Sequence, residues 1–123
     1  MHPERPATHT PDAIERNESV EDEKFIRRTI ELANQSLSEG DYPFGAALVI
    51  DGVIAAEGKN TAKRGDITGH AEINAIKMAL AANKDLDLSN CTLYSNFEPC
   101  PMCSFAIRDY EIGRVVYSMP SPY

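Results

Sequence analysis

Residues 46–53 read AALVIDGV, and this stretch decides the fold that the sequence predicts. Its first five residues are all apolar, which is typical of a central strand that is covered on both faces. Asp51 and Gly52 form a strong signal for a tight hairpin turn, so residues 53–57 are predicted to return as a second strand. We therefore expect a sheet with a buried centre and helices on each face.

An amphipathic helix is predicted before this hairpin, over residues 20–38. Ser19 precedes it as a candidate N-cap, and Gly40 follows it as a candidate stop signal. Apolar residues at helical spacing predict a buried stripe that consists of Ile26, Ile30, Ala33 and Leu37. The acidic residues of the first turn, which we expect to be solvated, are Glu21, Asp22 and Glu23.

After the hairpin, residues 58–69 are predicted to form a polar loop. The elements predicted beyond it are a helix over 70–82, a strand over 91–95, a helix over 101–110 and a strand over 114–117. The core candidates in the first of these helices are Ile73, Ile76, Met78 and Leu80. This order of elements indicates an α/β protein in which a hairpin leads into strand-helix-strand units.

The composition narrows the possible functions. The 123 residues fit one domain, and 42% of them are hydrophobic, enough to fill one core. The net charge of -7 argues against nucleic acid as a partner, because phosphates are bound by clustered cations. No apolar stretch approaches the roughly 18 residues that span a bilayer, so no membrane association is expected. Three cysteines and no secretory signal favour a cytoplasmic protein with reduced thiols over a disulfide framework.

The first residues differ from the rest of the chain. Residues 1–18 contain three prolines, two histidines and few apolar side chains, so they are predicted to be a flexible N-terminal arm. His2 and His9 are interpreted as exposed tail residues and not as metal ligands. Residues 19–123 are predicted to be the functional domain.

Two short motifs hold the residues that predict chemistry: TGHAE at 68–72 and EPCPMC at 98–103. Cys100 and Cys103 are three residues apart at a predicted helix start, so both sulfurs can reach one ion. His70, at the start of another predicted helix, can add an imidazole nitrogen. Two thiolates and one neutral imidazole fit a single Zn²⁺ per chain and leave its fourth tetrahedral position open for water, as in catalytic sites.

Glu72 lies two residues after His70 and is the candidate catalytic residue. It is poorly placed as a fourth ligand and well placed beside the water, whose pKa zinc lowers towards about 7. Glu72 could then take the water proton and pass it to a substrate nitrogen.

Two alternatives to a catalytic zinc site remain open for these motifs. One is a structural zinc site, which would need a fourth protein ligand, and the other is a redox Cys-x-x-Cys pair. Cys91 opens a predicted apolar strand and is interpreted as a small core residue. A redox pair would leave His70 and Glu72 without a purpose.

The combined pattern, H-x-E followed by P-C-x-x-C, is the signature of zinc-dependent nucleobase deaminases. The sequence resembles the cytidine and deoxycytidylate deaminase superfamily, and residues 42–47 (YPFGAA) and 58–60 (GKN) resemble its guanine deaminase and tRNA adenosine deaminase branch. The resemblance implies a three-layer α/β/α sandwich with a mixed central sheet. It also implies a hydrolytic deaminase that releases ammonia, with Glu72 as proton shuttle and zinc ligands His70, Cys100 and Cys103.

The same resemblance implies contacts to substrate. Asn60 would bond the substrate ring, Phe44 would contact the base, and the Ala71 backbone N–H would meet a substrate oxygen. From the residues alone, Asn60 has an alternative interpretation as a turn residue, although substrate contact is favoured, and Phe44 is as readily a core residue. A guanine-like purine is the expected substrate, with cytosine or cytidine second and a homodimer as the assembly. The alternatives are a tRNA-adenosine deaminase and a catalytically silent zinc-binding subunit.

The chain departs from the branch it resembles at two places. Guanine deaminases usually have a cysteine where this chain has Phe97, and an aspartate after the fourth predicted strand, where residues 118–123 contain no acid. Members of the family usually continue beyond the fourth predicted strand with further elements, so we expect the domain at residues 19–123 to lack those C-terminal elements.

Overall fold

A five-stranded mixed sheet forms the centre of the fold in the computed structural model, which describes residues 13–16 and 19–120. Its strands are β1 (Ala13–Arg16), β2 (Gly45–Ile50), β3 (Val53–Lys59), β4 (Cys91–Phe97) and β5 (Arg114–Met119). Their order is β1-β5-β4-β2-β3. The β1–β5 and β4–β5 pairs are parallel, and β2 is antiparallel to both β3 and β4. The predicted mixed sheet and the central position of the apolar strand are confirmed.

Three helices cover the two faces of the sheet: α1 (Val20–Ser38), α2 (Ala71–Ala82) and α3 (Pro101–Asp109). Helix α1 packs on one face, where Phe25 and Ile26 contact Val49, Tyr94 and Val116. Helices α2 and α3 pack on the other face against the alternate strand residues, which include Leu48, Leu93 and Val115. Because neighbouring strand residues point to opposite faces, these two clusters are separate cores. The predicted three-layer α/β/α sandwich is confirmed.

The strand directions bring the starts of two helices together. Strands β3 and β4 are both antiparallel to β2, which lies between them, so they run in the same direction and end at the same edge of the sheet. Helix α2 follows β3, and helix α3 follows β4, on the same face. The N-termini of α2 and α3 therefore meet at this edge, which is where open α/β sheets bind ligands.

The structure adds a strand that the sequence did not predict. Residues Ala13–Arg16 form β1, which extends the sheet beyond β5, although they lie in the predicted arm 1–18. Parallel pairing between distant segments is set by tertiary contacts and leaves a weak local signal. The rest of the predicted arm, including His2 and His9, lies outside the described residues.

The predicted bounds of α1 and the burial of Ile26 and Ala33 are confirmed, but the other two residues of the predicted stripe are not buried. Ile30 and Leu37 are 42% and 58% exposed. The residues that α1 buries are Asp22, Phe25, Ile26, Thr29, Leu32, Ala33 and Ser36. The true stripe includes small polar residues that the hydrophobic pattern omits. Met78 of α2, predicted to lie in the core, is likewise 61% exposed, since α2 presents its alanines to the sheet.

Asp22, predicted to be a solvated helix-start residue, is instead the centre of a buried polar network. Its carboxylate accepts a bidentate pair of hydrogen bonds from Arg114, at 2.9 and 2.7 Å, and a third from the Tyr94 hydroxyl at 2.6 Å. The Asp22 backbone N–H still donates to Ser19 Oγ at 3.0 Å, which confirms the predicted N-cap. The network thus joins the start of α1 to strands β4 and β5.

The β3–α2 contact is close because Gly58 has no side chain. A Cβ at Gly58 would overlap the Ala71 carbonyl oxygen and lie 2.6 Å from the Ala75 nitrogen. These are backbone atoms of α2, which cannot move without displacing the helix. Gly58 therefore fixes how closely the start of α2 approaches the sheet.

No helix among residues 13–16 and 19–120 is both long and apolar enough to cross a bilayer.

The Asp22 network predicts a specific dependence of stability on pH. Replacing Asp22 by alanine should lower the free energy of unfolding by about 3 kcal/mol near neutral pH, because Tyr94 and Arg114 lose a buried acceptor. Hydrogen bonds from Arg114 lower the pKa of Asp22 despite the opposing effect of burial. Its contribution to stability is therefore present above the ordinary carboxyl pKa and is lost as the pH falls through the lowered value.

Urea unfolding of the wild type and of Asp22→Ala at neutral and strongly acidic pH measures this dependence. The variant should lose less stability on acidification than the wild type does. Glu23→Ala is the matched control, because the Glu23–Arg27 pair is exposed and should contribute less than about 0.5 kcal/mol. Equal losses for the two variants near neutral pH would contradict the role given to Asp22.

The packing at Gly58 gives a second test. Gly58→Ala should lower the free energy of unfolding by about 3 kcal/mol, since the added methyl group meets rigid backbone. Gly65→Ala is the control, because Gly65 has φ +97° but open space around it, so only backbone strain of about 1 kcal/mol is added. Thermal unfolding compares the two variants, and a smaller effect at position 58 than at 65 would refute the close approach.

Candidate active site

Three potential metal ligands lie at the two helix starts that meet at the sheet edge. His70 is the N-cap residue of α2, and Cys100 is the N-cap residue of α3. Pro101 occupies the first turn of α3, where its missing N–H costs nothing, and Cys103 lies one turn in. Since Cys100 has extended backbone geometry and Cys103 is helical, their side chains converge in front of the first turn of α3.

The separation of these donor atoms fits a single zinc ion. The Sγ atoms of Cys100 and Cys103 lie 3.5 and 3.6 Å from His70 Nδ1, and the three donors lie within 4.8 Å of one another. Zinc–sulfur bonds of ~2.3 Å and zinc–nitrogen bonds of ~2.05 Å at a tetrahedral angle place sulfur and nitrogen about 3.5 Å apart. The spacing is therefore that of ligands sharing one tetrahedral ion.

The donor set also fits a cation on electrostatic grounds. Burial raises the pKa of the Cys103 thiol, and the nearby Glu72 and Cys100 raise it further. A thiolate is unfavourable in such a place unless a positive charge compensates it. The partial positive charge of the α3 N-terminus helps, and a divalent cation provides the rest.

Glu72 projects from the first turn of α2 and is 6% exposed. Burial raises its pKa to about 7, and the hydrogen bond from the Ser95 hydroxyl at 3.4 Å opposes the rise. It lies two residues after His70 and is not part of the donor group. A buried carboxyl group beside a metal site and free of an ion-pair partner among the described residues can accept and return a proton.

The three predicted substrate-contact residues lie at the same edge of the sheet as the donor group. Asn60 follows β3 and is 2% exposed, and its backbone N–H donates to the Phe44 carbonyl oxygen at 3.2 Å. Ala71 is fully buried at the first position of α2, where its N–H has no carbonyl partner within the helix. Phe44 precedes β2 and packs its ring against Phe97 at 5.5 Å. All three therefore lie at the sheet edge that holds the metal ligands.

Hydrogen bonds between neighbouring segments hold this edge of the sheet together. Thr61 N–H donates to the Gly69 carbonyl at 2.7 Å, and the Asn74 amide donates to the Lys59 carbonyl at 2.7 Å, so the end of β3 is tied to the start of α2. On the other side, Asn96 accepts from Gly45 N–H at 2.9 Å and donates to the Pro43 carbonyl at 3.0 Å. The segment that carries Phe44 is thereby fixed to the end of β4.

A known protein family matches the part of the chain that carries the donor group. The family model described as the cytidine and deoxycytidylate deaminase zinc-binding region matches residues 19–119. The chain belongs to this family. Its His70, Cys100 and Cys103 group, on both geometric and family grounds, fits one Zn²⁺.

Several members of the deaminase family are similar to this chain. A guanine deaminase of Bacillus subtilis is 44% identical over 87 residues, which cover 69% of this chain and 56% of that protein. A probable cytosine deaminase of Schizosaccharomyces pombe is 38% identical over 103 residues, which cover 82% of this chain and 62% of that protein. The chain thus spans little more than half the length of these two curated relatives.

A solved structure from a study of A-to-I editing by tRNA:A34 deaminases is also similar. It superposes with a TM-score of 0.77 and 34% identity, and the match covers 84% of this chain and 80% of that chain. Relatives with different named substrates therefore share this deaminase fold.

The structural-zinc alternative needs a fourth protein ligand, and the described residues bring none to the donor group. Cys91, the remaining cysteine, is 1% exposed in the core, and its thiol approaches the Asp87 carbonyl at 3.6 Å. The interpretation of Cys91 as a core residue is thereby supported.

Two buried polar residues of the site were missed by sequence analysis. Ser95 is 1% exposed and faces Glu72, and Asp41 is 2% exposed and contacts Asn60. Ser95 follows Cys91 and Leu93 at alternate positions on the core-facing side of β4, so a polar residue there is a usable signal for an inward polar group. Asp41 is in the loop before β2, where an aspartate ordinarily indicates only a turn.

The cysteines provide a matched test of the metal centre. Cys103→Ser should reduce bound zinc well below one ion per chain, because a neutral hydroxyl replaces a thiolate ligand. Cys91→Ser, which also changes a buried cysteine, should leave the zinc content near one per chain. Elemental analysis of the purified proteins measures both. Loss of zinc in Cys91→Ser, or full zinc content in Cys103→Ser, would show that the ligand set is wrong.

Proposed function

We propose that this chain is a zinc-dependent hydrolytic deaminase that releases ammonia from an amino-substituted nucleobase or nucleoside. The observation that supports the proposal most directly is the buried Glu72 carboxyl group beside the His70, Cys100 and Cys103 donors. A purely structural metal site has no use for a buried acid at this place. Family membership and the named deaminases among the relatives support the same reaction.

The proposed reaction exchanges the amino group of a ring carbon for an oxygen from water. Zinc held by the three ligands would supply Lewis acidity that makes water nucleophilic at neutral pH. Glu72 takes a proton from the water and delivers it to the ring nitrogen next to the reacting carbon. The water oxygen forms a bond to that carbon. Glu72 then takes the remaining proton of this oxygen and delivers it to the amino group, the carbon–nitrogen bond breaks, and ammonia leaves while the oxygen becomes a carbonyl.

The remaining residues of the site would orient the ring. Asn60 bonds one edge of it, the Ala71 N–H donates to an oxygen, and Phe44 contacts a ring face. The Phe44–Phe97 pair has an interplanar angle of 75°, so each ring fixes the other. Orientation of this kind brings the amino-bearing carbon to the proton-transfer group.

Within this class, we favour a guanine-like purine, with cytosine or cytidine second. The likeness to a guanine deaminase over 69% of the chain supports the purine. Likeness to a structure from a study of tRNA:A34 deaminases supports an alternative function, deamination of a tRNA adenosine. The net charge of -7 opposes it, because a tRNA-binding surface needs clustered cations.

A homodimer in the cytoplasm is the proposed assembly and compartment. Met78 of α2 and Phe105 of α3 are 61% and 67% exposed, and a second copy of the chain would cover them. The cysteine ligands require reduced thiols, which the cytoplasm maintains.

Ammonia release tests the proposed reaction. Zinc-loaded protein is incubated with guanine, adenine, cytosine, their nucleosides and a tRNA that presents an unpaired adenosine. Glu72→Gln should lower kcat at least about 100-fold, because the amide cannot shuttle a proton. Glu31→Gln, on the exposed part of α1, is the control and should match the wild type.

The outcomes separate the candidates. Turnover of a free base or nucleoside that depends on Glu72 supports the proposal, and inosine formed only in tRNA supports the tRNA adenosine alternative. No turnover of any substrate by zinc-loaded protein would overturn the enzymatic function and favour a silent zinc-binding subunit.

A further inference from the structure

Asp41 is a buried carboxylate that the proposed reaction leaves without a role. It lies in the loop between α1 and β2 and is 2% exposed. Its Oδ1 accepts hydrogen bonds from its neighbour's backbone, Tyr42 N–H, at 2.8 Å and from Asn60 Nδ2 at 2.7 Å. Its Oδ2 accepts from Lys63 N–H at 3.2 Å. Asp41 thus spans from its own loop to the segment after β3.

The Asn60 backbone is held rigidly from two sides. Its N–H donates to Phe44 at 3.2 Å, and its carbonyl oxygen accepts from the Ser36 hydroxyl at 3.2 Å. With the main chain fixed, the remaining freedom of Asn60 is the rotation of its side-chain amide. That rotation exchanges a donor for an acceptor at nearly the same place, since the two ends of the amide have almost the same shape.

The amide oxygen of Asn60 has no hydrogen-bond partner among residues 13–16 and 19–120, although the residue is 2% exposed. An unpaired buried acceptor is costly, and such groups in native structures ordinarily have a partner that completes them. The unpaired oxygen therefore points to a ligand that donates a hydrogen bond there.

We propose that Asp41 is a positioning residue for substrate binding, because its carboxylate fixes the orientation of the Asn60 amide. An ionised carboxylate only accepts hydrogen bonds, so it attracts the NH₂ end of Asn60 and repels the oxygen end. The oxygen is held away from Asp41 as an acceptor for a ring N–H of the substrate. This inference rests on the proposed function and specifies how that site selects a substrate edge.

The local surroundings keep Asp41 in the required charge state. Burial alone would raise its pKa, but the hydrogen bonds from Asn60, Tyr42 and Lys63 lower it below its ordinary value. Asp41 is thus an acceptor throughout the neutral pH range. The orientation of Asn60 is set before any substrate arrives, which reduces the cost of binding.

Two substitutions at position 41 distinguish the effect of the side-chain charge from the effect of the side-chain size. Asp41→Asn has nearly the same shape, but its single amide oxygen can accept from Tyr42 N–H or from Lys63 N–H and not from both. When the NH₂ end of the new amide faces Asn60, the Asn60 amide turns over, so either orientation of Asn60 is tolerated. Asp41→Glu is larger and keeps an acceptor-only carboxylate. We expect Asp41→Asn to raise the KM for guanine about tenfold with little change in kcat. We expect Asp41→Glu to keep a KM close to that of the wild type. Asp87→Asn, a change in an exposed turn, is the control and should match the wild type.

A second readout needs no turnover. In the zinc-loaded protein, the side-chain NH₂ signals of Asn60 are identified by NMR through their loss in Asn60→Ala. One of these protons should exchange slowly with solvent in the wild type and in Asp41→Glu, and at least about tenfold faster in Asp41→Asn. Circular dichroism and thermal unfolding check that the variants are folded.

Each result bears on a different claim. Unchanged NMR signals in Asp41→Asn would overturn the Asp41–Asn60 pairing. Changed signals with an unchanged KM would overturn its role in substrate binding, as would an equal loss in Asp41→Asn and Asp41→Glu. A wild type that turns over no substrate refutes the proposed function by itself, and with it the substrate role of Asp41, while the NMR comparison still tests the pairing.

Discussion

The constraint on which the site depends is the common direction of β3 and β4 on either side of β2. Because both strands end at one edge and each leads into a helix on the same face, the N-termini of α2 and α3 must approach each other there. Gly58 permits this by allowing α2 to lie against β3 at backbone distance. Without that contact, His70 would not reach the two cysteines of α3.

The topology also gives the two faces of the sheet different sets of buried residues. The face under α2 and α3 buries small and aliphatic residues and supports the metal ligands and Glu72. The face under α1 holds the Asp22, Tyr94 and Arg114 network, which is remote from the donor atoms in the fold. The two faces meet at the loop before β2, where Asp41 joins the end of α1 to Asn60. In the proposed function, this loop therefore connects the packing of α1 to the residue that would orient the substrate.

Much of this could be predicted from the sequence because the signals are local. The bounds of α1 follow from Ser19 and a helical apolar pattern, and the ligand motifs follow from spacings within one turn of helix. What failed depends on contacts between distant segments. Strand β1 exists only because β5 pairs with it, and the burial of Asp22 depends on Arg114, 92 residues away. Apolar periodicity also misplaced the stripe of α1, since Thr29 and Ser36 are buried by the close approach of the sheet.

The path of the chain after β5 has a practical meaning for anyone who modifies this protein. Strand β5 runs parallel to β4, and the Met119 carbonyl oxygen accepts a hydrogen bond from Glu98 N–H at 2.7 Å, two residues before Cys100. A purification tag or fused partner attached after β5 therefore emerges at the same edge of the sheet as the donor group, close to Cys100. Strand β1 runs parallel to β5, so its first residue, Ala13, lies at the opposite edge of the sheet. An attachment before β1 therefore joins the described fold at the end of the sheet that is far from the donor group.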